Sequence, residues 1–326
     1  MRELKIGKND AGGRLDAFLF KTFELPPSMI YRYIRLKRIK INGKRAEIST
    51  RLNEGDALQL YINDELLDKK REPSEAYLSA KGDITAVYED ENILIVHKPS
   101  GMSVHEDEKG DFNTLIANIQ SYLYKKGEWN PGDENQFAPA LANRIDRNTE
   151  GLVLAAKNAR ALRVLNERIR LREIDKTYLA VCVGKVEPIE AVLEDFVFKD
   201  EKAKMVYVKK ERTRGAKSAR MSYRRIAFEN GLSLVECRLD TGRTHQIRVQ
   251  MASAGFPLLG DGKYGDGEQN RHHGVKYQAL CSYKVCFEFK EDAGVLEYLR
   301  GRDFRASVPR FAREFFPDCR LEESCR

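Results

Sequence analysis

The 326-residue chain contains no apolar run approaching the roughly 18 to 20 residues a membrane-spanning helix needs. It opens Met-Arg-Glu-Leu-Lys, without the apolar stretch of a signal peptide, so a cytoplasmic protein is expected. Of six cysteines, Cys182, Cys237, Cys281, Cys286, Cys319 and Cys325, none forms a C-x-x-C pair, which leaves zinc ribbons and thioredoxin-like sites without support. Reduced thiols, several of them inside strands, are expected instead. Histidine is equally sparse. His97, His105, His245, His272 and His273 contain no H-x-x-x-H pair, and no metal site is expected. Repeats and low-complexity segments are also missing, while 42% apolar residues with 15 Phe and 14 Tyr indicate a packed protein rather than a disordered one.

What is present is unevenly placed charge. The total is only +7, from 57 Lys+Arg and 50 Asp+Glu, and it becomes informative through position. Between residues 28 and 51 lie eight basic residues (Arg32, Arg35, Lys37, Arg38, Lys40, Lys44, Arg45, Arg51) and one acid, Glu47, a local surplus of +7. Between 199 and 225 lie eleven basic residues and three acids, a surplus of +8, so the remainder is acidic by 8. Charge runs are usually solvated faces; two of them favour a polyanionic partner.

The first basic run sits in a compact pattern. Leu15, Phe18, Leu19 and Phe23 make one apolar stripe at helical spacing, and Pro26-Pro27-Ser28 stops that helix, with Ser28 expected to cap the next. In the second helix Ile30 and Ile34 share a face, leaving Arg32 and Arg35 on the other. Ile39 and Ile41 then alternate with Lys40, Asn42-Gly43 is a hairpin turn, and 57–62 reads as a closing strand. Residues 1–63 are therefore expected to form one module, 64–82 a charged linker, and 83–326 a larger domain.

In that domain strands are expected at 93–97, 151–156, 177–183, 232–239 and 283–289, with helices at 114–124, 159–172 and 244–254. Strands outnumber helices and do not alternate strictly with them, so the fold class expected is α+β with a mixed, mainly antiparallel sheet flanked by helices. Gly260-Asp261-Gly262-Lys263-Tyr264-Gly265 matches G-x-G-x-x-G literally, but Phe256-Pro257 precedes it and Asp266-Gly267-Glu268 does not read as a close-packed helix start. It is read as a turn.

Two segments carry chemistry. Asn143-Arg144-Ile145-Asp146-Arg147-Asn148-Thr149-Glu150-Gly151 sets an Asp between two arginines at the edge of an apolar strand. Such an Asp is either an ion pair or turn cap, or a carboxylate kept ionised as a nucleophile or general base requires. Thr241-Gly242-Arg243-Thr244-His245-Gln246-Ile247-Arg248-Val249 joins a strand to a helix; it is either simple capping with a solvated Arg, or an anion site with Arg248 turned inward.

Taken with Ile95-Val96-His97-Lys98-Pro99-Ser100-Gly101-Met102-Ser103-Val104-His105, with Lys176-Thr177-Tyr178-Leu179-Ala180 and with Gly260-Asp261-x-x-Tyr264-Gly265, these segments closely resemble, in order, the RluA-type RNA pseudouridine synthases. The first module resembles the S4 RNA-binding domain through Arg14-Leu15-Asp16, residues 28–35 and Ile41-Asn42-Gly43-Lys44. The family's signature usually begins with His and ends Thr-Ser-Gly; Asn143 and Glu150 stand at those positions here, and Ile145 replaces the usual Leu.

The resemblance implies an isomerase that converts uridine to pseudouridine in structured RNA, expected to be large-subunit ribosomal RNA, with no cofactor or metal. Asp146 matches the family's catalytic aspartate, Tyr178 its active-site tyrosine and Arg248 the arginine pairing with that aspartate. Arg144 is expected to fill the place of the flipped base or hold the neighbouring phosphate, and Arg243 and His245, with Arg32, Arg35, Arg38, Lys40 and Lys44 of the first module, to bind RNA. A monomer is expected. Two other readings stay open: a non-catalytic RNA-binding ribosome assembly factor on a decayed site, and a nucleoside or glycoside hydrolase, which would ordinarily need a second carboxylate flanking the bond.

Overall fold

A computed structural model describes residues 1–7, 10–23, 25–67, 76–106, 113–131, 137–319 and 321. In the first module β1 (Arg2–Lys5) precedes helices α1 (Leu15–Thr22) and α2 (Pro27–Arg35), followed by β2 (Ile39–Ile41), β3 (Lys44–Arg45) and β4 (Ala57–Leu60). The strands pair antiparallel in the order β1-β4-β2-β3, an edge the sequence reading lacked. Leu15, Phe18, Leu19, Ile30 and Ile34 from the helices bury together with Ile39, Leu58 and Leu60 from the sheet. The expected Ser28 cap is not used: Pro26 takes the cap position and Pro27 the first turn, where a missing N–H removes no helical bond. Asn42 and Gly43 have φ values of 50° and 75°, the left-handed pair of a tight hairpin turn. Arg32, Arg35, Lys37, Arg38, Lys44 and Arg45 remain exposed, and among the described residues no carboxylate pairs with them; Lys40 lies 5.2 Å from the centre of the Tyr61 ring.

The stretch read as a linker is part of both modules at its ends. Helix α3 (Asp64–Leu67) sends Leu67 into the first core, and α4 (Ala76–Ser79) sets Tyr77 edge-on against Tyr124 and Trp129 of the second domain. Residues 68–75 lie outside the described residues.

The second domain runs β5 (Thr85–Glu89), β6 (Ile93–Lys98), α5 (Leu115–Lys125), β7 (Ala140–Leu141), β8 (Glu150–Ala156), α6 (Ala159–Arg170), β9 (Ile174–Val183), β10 (Glu190–Asp200), β11 (Met205–Lys209), β12 (Lys217–Glu229), β13 (Leu232–Leu239), α7 (Gln246–Ser253), α8 (Gly267–His272), β14 (Leu280–Phe287), a 3-10 helix (Gly294–Leu299), β15 (Asp303–Arg305) and α9 (Arg310–Phe315). Its sheet has the order β11-β10-β12-β13-β9-β14-β8-β6-β5, with β7 on β8 and β15 on β14. Among the described residues only the β8–β14 pair is parallel, so the sheet is mixed and mainly antiparallel, as the element pattern indicated.

β6 and β8 are buried on both faces, which explains their unbroken apolar runs. Alternate residues feed two cores: Leu94, Val96, Val153 and Ala155 face Tyr178, Ile145 and Ile247, while Ile93, Ile95, Leu152 and Leu154 face Ala161 and Leu165 of α6. The first face carries the candidate site.

The second basic run turns out to be the β10–β12 arm, strands the charge-rich sequence concealed. Its surplus is partly neutralised: Lys199 pairs with Glu201, Lys210 with Asp195, Arg220 with Glu194 and Asp240, and Arg225 with Glu187. The glycine-rich segment is a turn, as expected. Asp266, however, caps α8 through the Glu268 and Gln269 amides, so a helix does follow it. The described thiols are free, while Cys325 lies outside the described residues. No helix among the described residues is long and apolar enough to cross a membrane.

The parallel junction depends on Gly151. It has φ +110°, and a Cβ there would fall 2.3 Å from the Ser282 carbonyl oxygen and 2.5 Å from its nitrogen. Gly151→Ala is expected to lower stability by at least about 2 kcal/mol in urea unfolding, whereas Gly262→Ala, where a Cβ meets nothing, stays within about 0.5 kcal/mol.

Candidate active site

Asp146 sits on a tight turn immediately before β8. The Thr149 N–H donates to the Asp146 carbonyl at 3.1 Å, and the Thr149 hydroxyl accepts from Gln278 at 3.1 Å. Asn143, in the position where the family usually has His, uses its Oδ1 to accept the Leu154 N–H at 2.8 Å, fastening the start of the loop to β8. Lys98, at the end of β6 and wholly buried, donates from Nζ to the carbonyls of Pro99, Met102 and Arg147 at 2.8, 2.9 and 2.9 Å. One ammonium thus ties the loop after β6 to the Asp146 turn. Burial pulls the Lys98 ammonium down to about 8, against the opposing pull of Asp146 and Glu150, so at neutral pH it keeps a proton for each carbonyl. Burial also pushes the Glu150 carboxyl up.

Arg248 enters from the first turn of α7. This helix is buried around its whole circumference from Gln246 to Met251, so no amphipathic period marks Arg248 as inward. Arg248 is 6% exposed and makes three charged hydrogen bonds: Nε and Nη2 to the two oxygens of Asp261 at 2.7 and 2.9 Å, and Nη1 to Asp146 Oδ2 at 2.8 Å. Asp261, 1% exposed, also accepts the backbone N–H groups of Lys263 and Tyr264. Burial works against ionising Asp261, but the Arg248 fork and these amides outweigh it and hold the carboxyl below the usual range. At Arg248 the Asp261 and Asp146 carboxylates outweigh burial and raise the guanidinium. Sequence reasoning left Asp261 without a role; the one available signal was its place in the Gly260-to-Gly265 segment.

Asp146, Tyr178, Arg144, Arg243, His245 and Arg248 border one cavity of about 520 Å³. Arg144 is exposed at its rim, and Arg243 is tied by Nε to the Ser218 carbonyl at 2.8 Å. Tyr178, on β9 and 6% exposed, has its phenol pushed up to about 12, chiefly by burial and further by the Asp146 charge. His245 Nε2 lies 3.9 Å from Asp146 Oδ2, and burial lowers its imidazole. Asp175 and Asp240 also line the cavity, and Asp240 is held by Arg220 at 2.5 Å. The basic residues of the first module are not among the lining groups. Among the described residues no three His, Cys, Asp or Glu side chains gather as a metal site.

Residues 92–253 match the family model for RNA pseudouridylate synthase, and residues 13–58 match that for the S4 domain. A ribosomal large subunit pseudouridine synthase C of Escherichia coli K12 is 32% identical over 82% of this chain and 80% of its own length. This chain belongs to the RluA-type pseudouridine synthases. An RNA pseudouridine synthase of Mycoplasma genitalium is 30% identical over 86% of this chain and 88% of its own, and one of Bacillus subtilis is 28% identical over 98% of both. The solved human RNA pseudouridylate synthase domain containing 4 superposes with a TM-score of 0.54 at 21% identity, covering 70% of this chain and 89% of its own, and shares the fold. The synthase is thus an isomerase converting uridine to pseudouridine in RNA, with an amino-terminal S4 domain.

Asp261→Asn leaves a buried guanidinium short of a charge partner, and the expected loss is about 3–5 kcal/mol in urea unfolding at pH 7. Because the Asp261 carboxyl is held low, its stabilisation is complete above the unfolded value near about 3.9 and fades as pH falls through the lower folded value. Wild-type protein should therefore lose more stability than the variant as pH falls below about 4.

Proposed function

We propose that Asp146 is the catalytic aspartate of this synthase, that Arg248 aims it, and that the substrate is a uridine of large-subunit ribosomal RNA flipped into the cavity. The observation that carries this reading is the Asp146–Arg248 contact of 2.8 Å, held from behind by Asp261 and opening onto a cavity that Tyr178 also borders. A volume of about 520 Å³ suits one nucleoside and excludes a duplex, so the base must leave its stack. The reaction breaks the N1–C1′ bond, turns the base over and joins C5 to C1′; the proton leaves C5 and N1 takes one up. Atoms balance without a co-reactant.

Asp146 acts at the sugar, either by attack on the nucleoside or by assisting deprotonation. The remaining charge of the relay favours this: Arg248 gives two of its three contacts to Asp261, so one N–H orients Asp146 without covering it, and the carboxylate stays a quarter exposed to the cavity. Tyr178 offers its ring to the uracil and, with its phenol at about 12, takes part as a donor rather than as a phenolate. Arg144 at the rim takes the place of the flipped base or holds the neighbouring phosphate, with Arg243 nearby. The uncompensated cations of the S4 domain supply affinity for the RNA backbone. The S4 domain and the likeness to ribosomal large subunit pseudouridine synthases support the ribosomal substrate. The intact three-residue relay speaks against a decayed scaffold.

Asp146→Asn is expected to abolish pseudouridine formation in ribosomal RNA from cells lacking the protein, with RNA affinity within a few-fold of wild type. Appreciable residual turnover would remove Asp146 from its role. Converting Arg32, Arg35 and Lys44 together to Gln is expected to weaken RNA binding and to flatten the slope of log K against log salt by about 2 to 3. An unchanged slope would place the RNA elsewhere.

A further inference from the structure

His245 is held by contacts that fix which of its ring nitrogens carries the proton. The Tyr264 hydroxyl accepts the Val206 N–H at 2.9 Å and lies 2.8 Å from His245 Nδ1. With the Val206 N–H on its oxygen and no other acceptor meeting it among the described residues, that hydroxyl is placed to donate to Nδ1, the arrangement in which the imidazole proton sits on Nε2. Tyr264 is itself set beneath Arg248, whose guanidinium carbon is 5.2 Å from the ring centre, and its N–H is bonded to Asp261. The backbone of His245 is left-handed, with φ 54°, at the start of α7. A residue other than glycine held there points to a constraint worth its strain.

The consequence lies at Nε2. His245 and Asp146 both line the cavity, and Nε2 lies 3.9 Å from the Asp146 carboxylate oxygen, too far for a hydrogen bond between them. A single atom about 2.8 Å from each would see them at roughly 90°, and it must accept from one and donate to the other. Uracil carbonyls only accept and the uracil N3–H only donates. A hydroxyl does both, and in a uridine the hydroxyl next to the reacting C1′ is the ribose 2′-OH.

The geometry points to His245 as a substrate-contacting specificity residue that, with Asp146, reads the ribose 2′-OH of the target uridine and so separates RNA from DNA at the reacting nucleotide. This rests on the proposed role of Asp146. It also gives Tyr264 a task as the positioning residue that keeps the donor tautomer, since a free imidazole would divide its proton between both nitrogens.

The test uses a ribosomal RNA fragment that the wild-type protein converts, rebuilt by ligation with either ribose or 2′-deoxyribose at the one modified uridine. Wild type is expected to favour the ribose fragment by at least about 10²-fold in kcat/KM. His245→Ala should lower turnover of the ribose fragment and bring the two fragments within a few-fold of each other. Tyr264→Phe leaves the His245 backbone untouched and should shrink the preference several-fold, so the inference does not depend on one variant folding. Equal rates on both fragments with wild type, or a full preference retained by either variant, would overturn it. Full turnover by Asp146→Asn would instead defeat the catalytic assignment, whatever the sugar preference.

Discussion

One buried guanidinium holds the site together. Arg248 is removed from water, and a lone charge in that position would be untenable. The carboxylate fork of Asp261 makes it tolerable, and only because that fork satisfies two of its nitrogens is a third left to aim Asp146. Three separate parts of the chain must therefore arrive together: the turn before β8, the first turn of α7 and the glycine-rich turn after it. The relay carries two negative groups and one positive group, beside a lining that also holds Arg144, Arg172, Lys176 and Arg243 together with Asp175 and Asp240.

The sheet makes this convergence possible. β8 and β14 run parallel at close range because Gly151 has no side chain, which brings the Asp146 turn beside Ser282 and, one strand further, Tyr178. Gln246 ties the loop before α7 to the Thr241 hydroxyl, the Arg243 N–H and the Arg220 carbonyl, so the loop bearing His245 is fastened at both ends. Polar side chains here do the work that apolar packing does elsewhere.

Much of this was legible in the sequence, and the misses have physical reasons. The apolar runs of β6 and β8 and the motif around Asp146 announce themselves, because strands buried on both faces must be continuously apolar. Arg248 turned inward, one of the two arrangements its segment left open. Asp261 escaped notice because its partner lies thirteen residues away and its own surroundings read as a turn. Lys98 fell just beyond the expected strand 93–97 and drew no role, since nothing in a sequence shows three carbonyls converging on one ammonium. The strands β10 and β12 were hidden by charge; many of their positions are solvated, and their cations are partly paired with local acids. The count of basic residues overstated that surface and described the S4 surface fairly.

The Lys98 staple has a consequence for the RNA. Two loops that form the floor beneath Asp146 are locked to one another by three short bonds at a buried nitrogen, and Arg147 and Gly101 add a reciprocal pair between the same loops. A floor fastened in this way has little freedom to mould itself to its guest. If the target base is flipped as proposed, accommodation falls to the nucleic acid, and a uridine already loose in a bulge or loop would reach the cavity at less cost than one paired in a helix. On that reading, choice among uridines is in part a measurement of how easily the RNA itself comes apart.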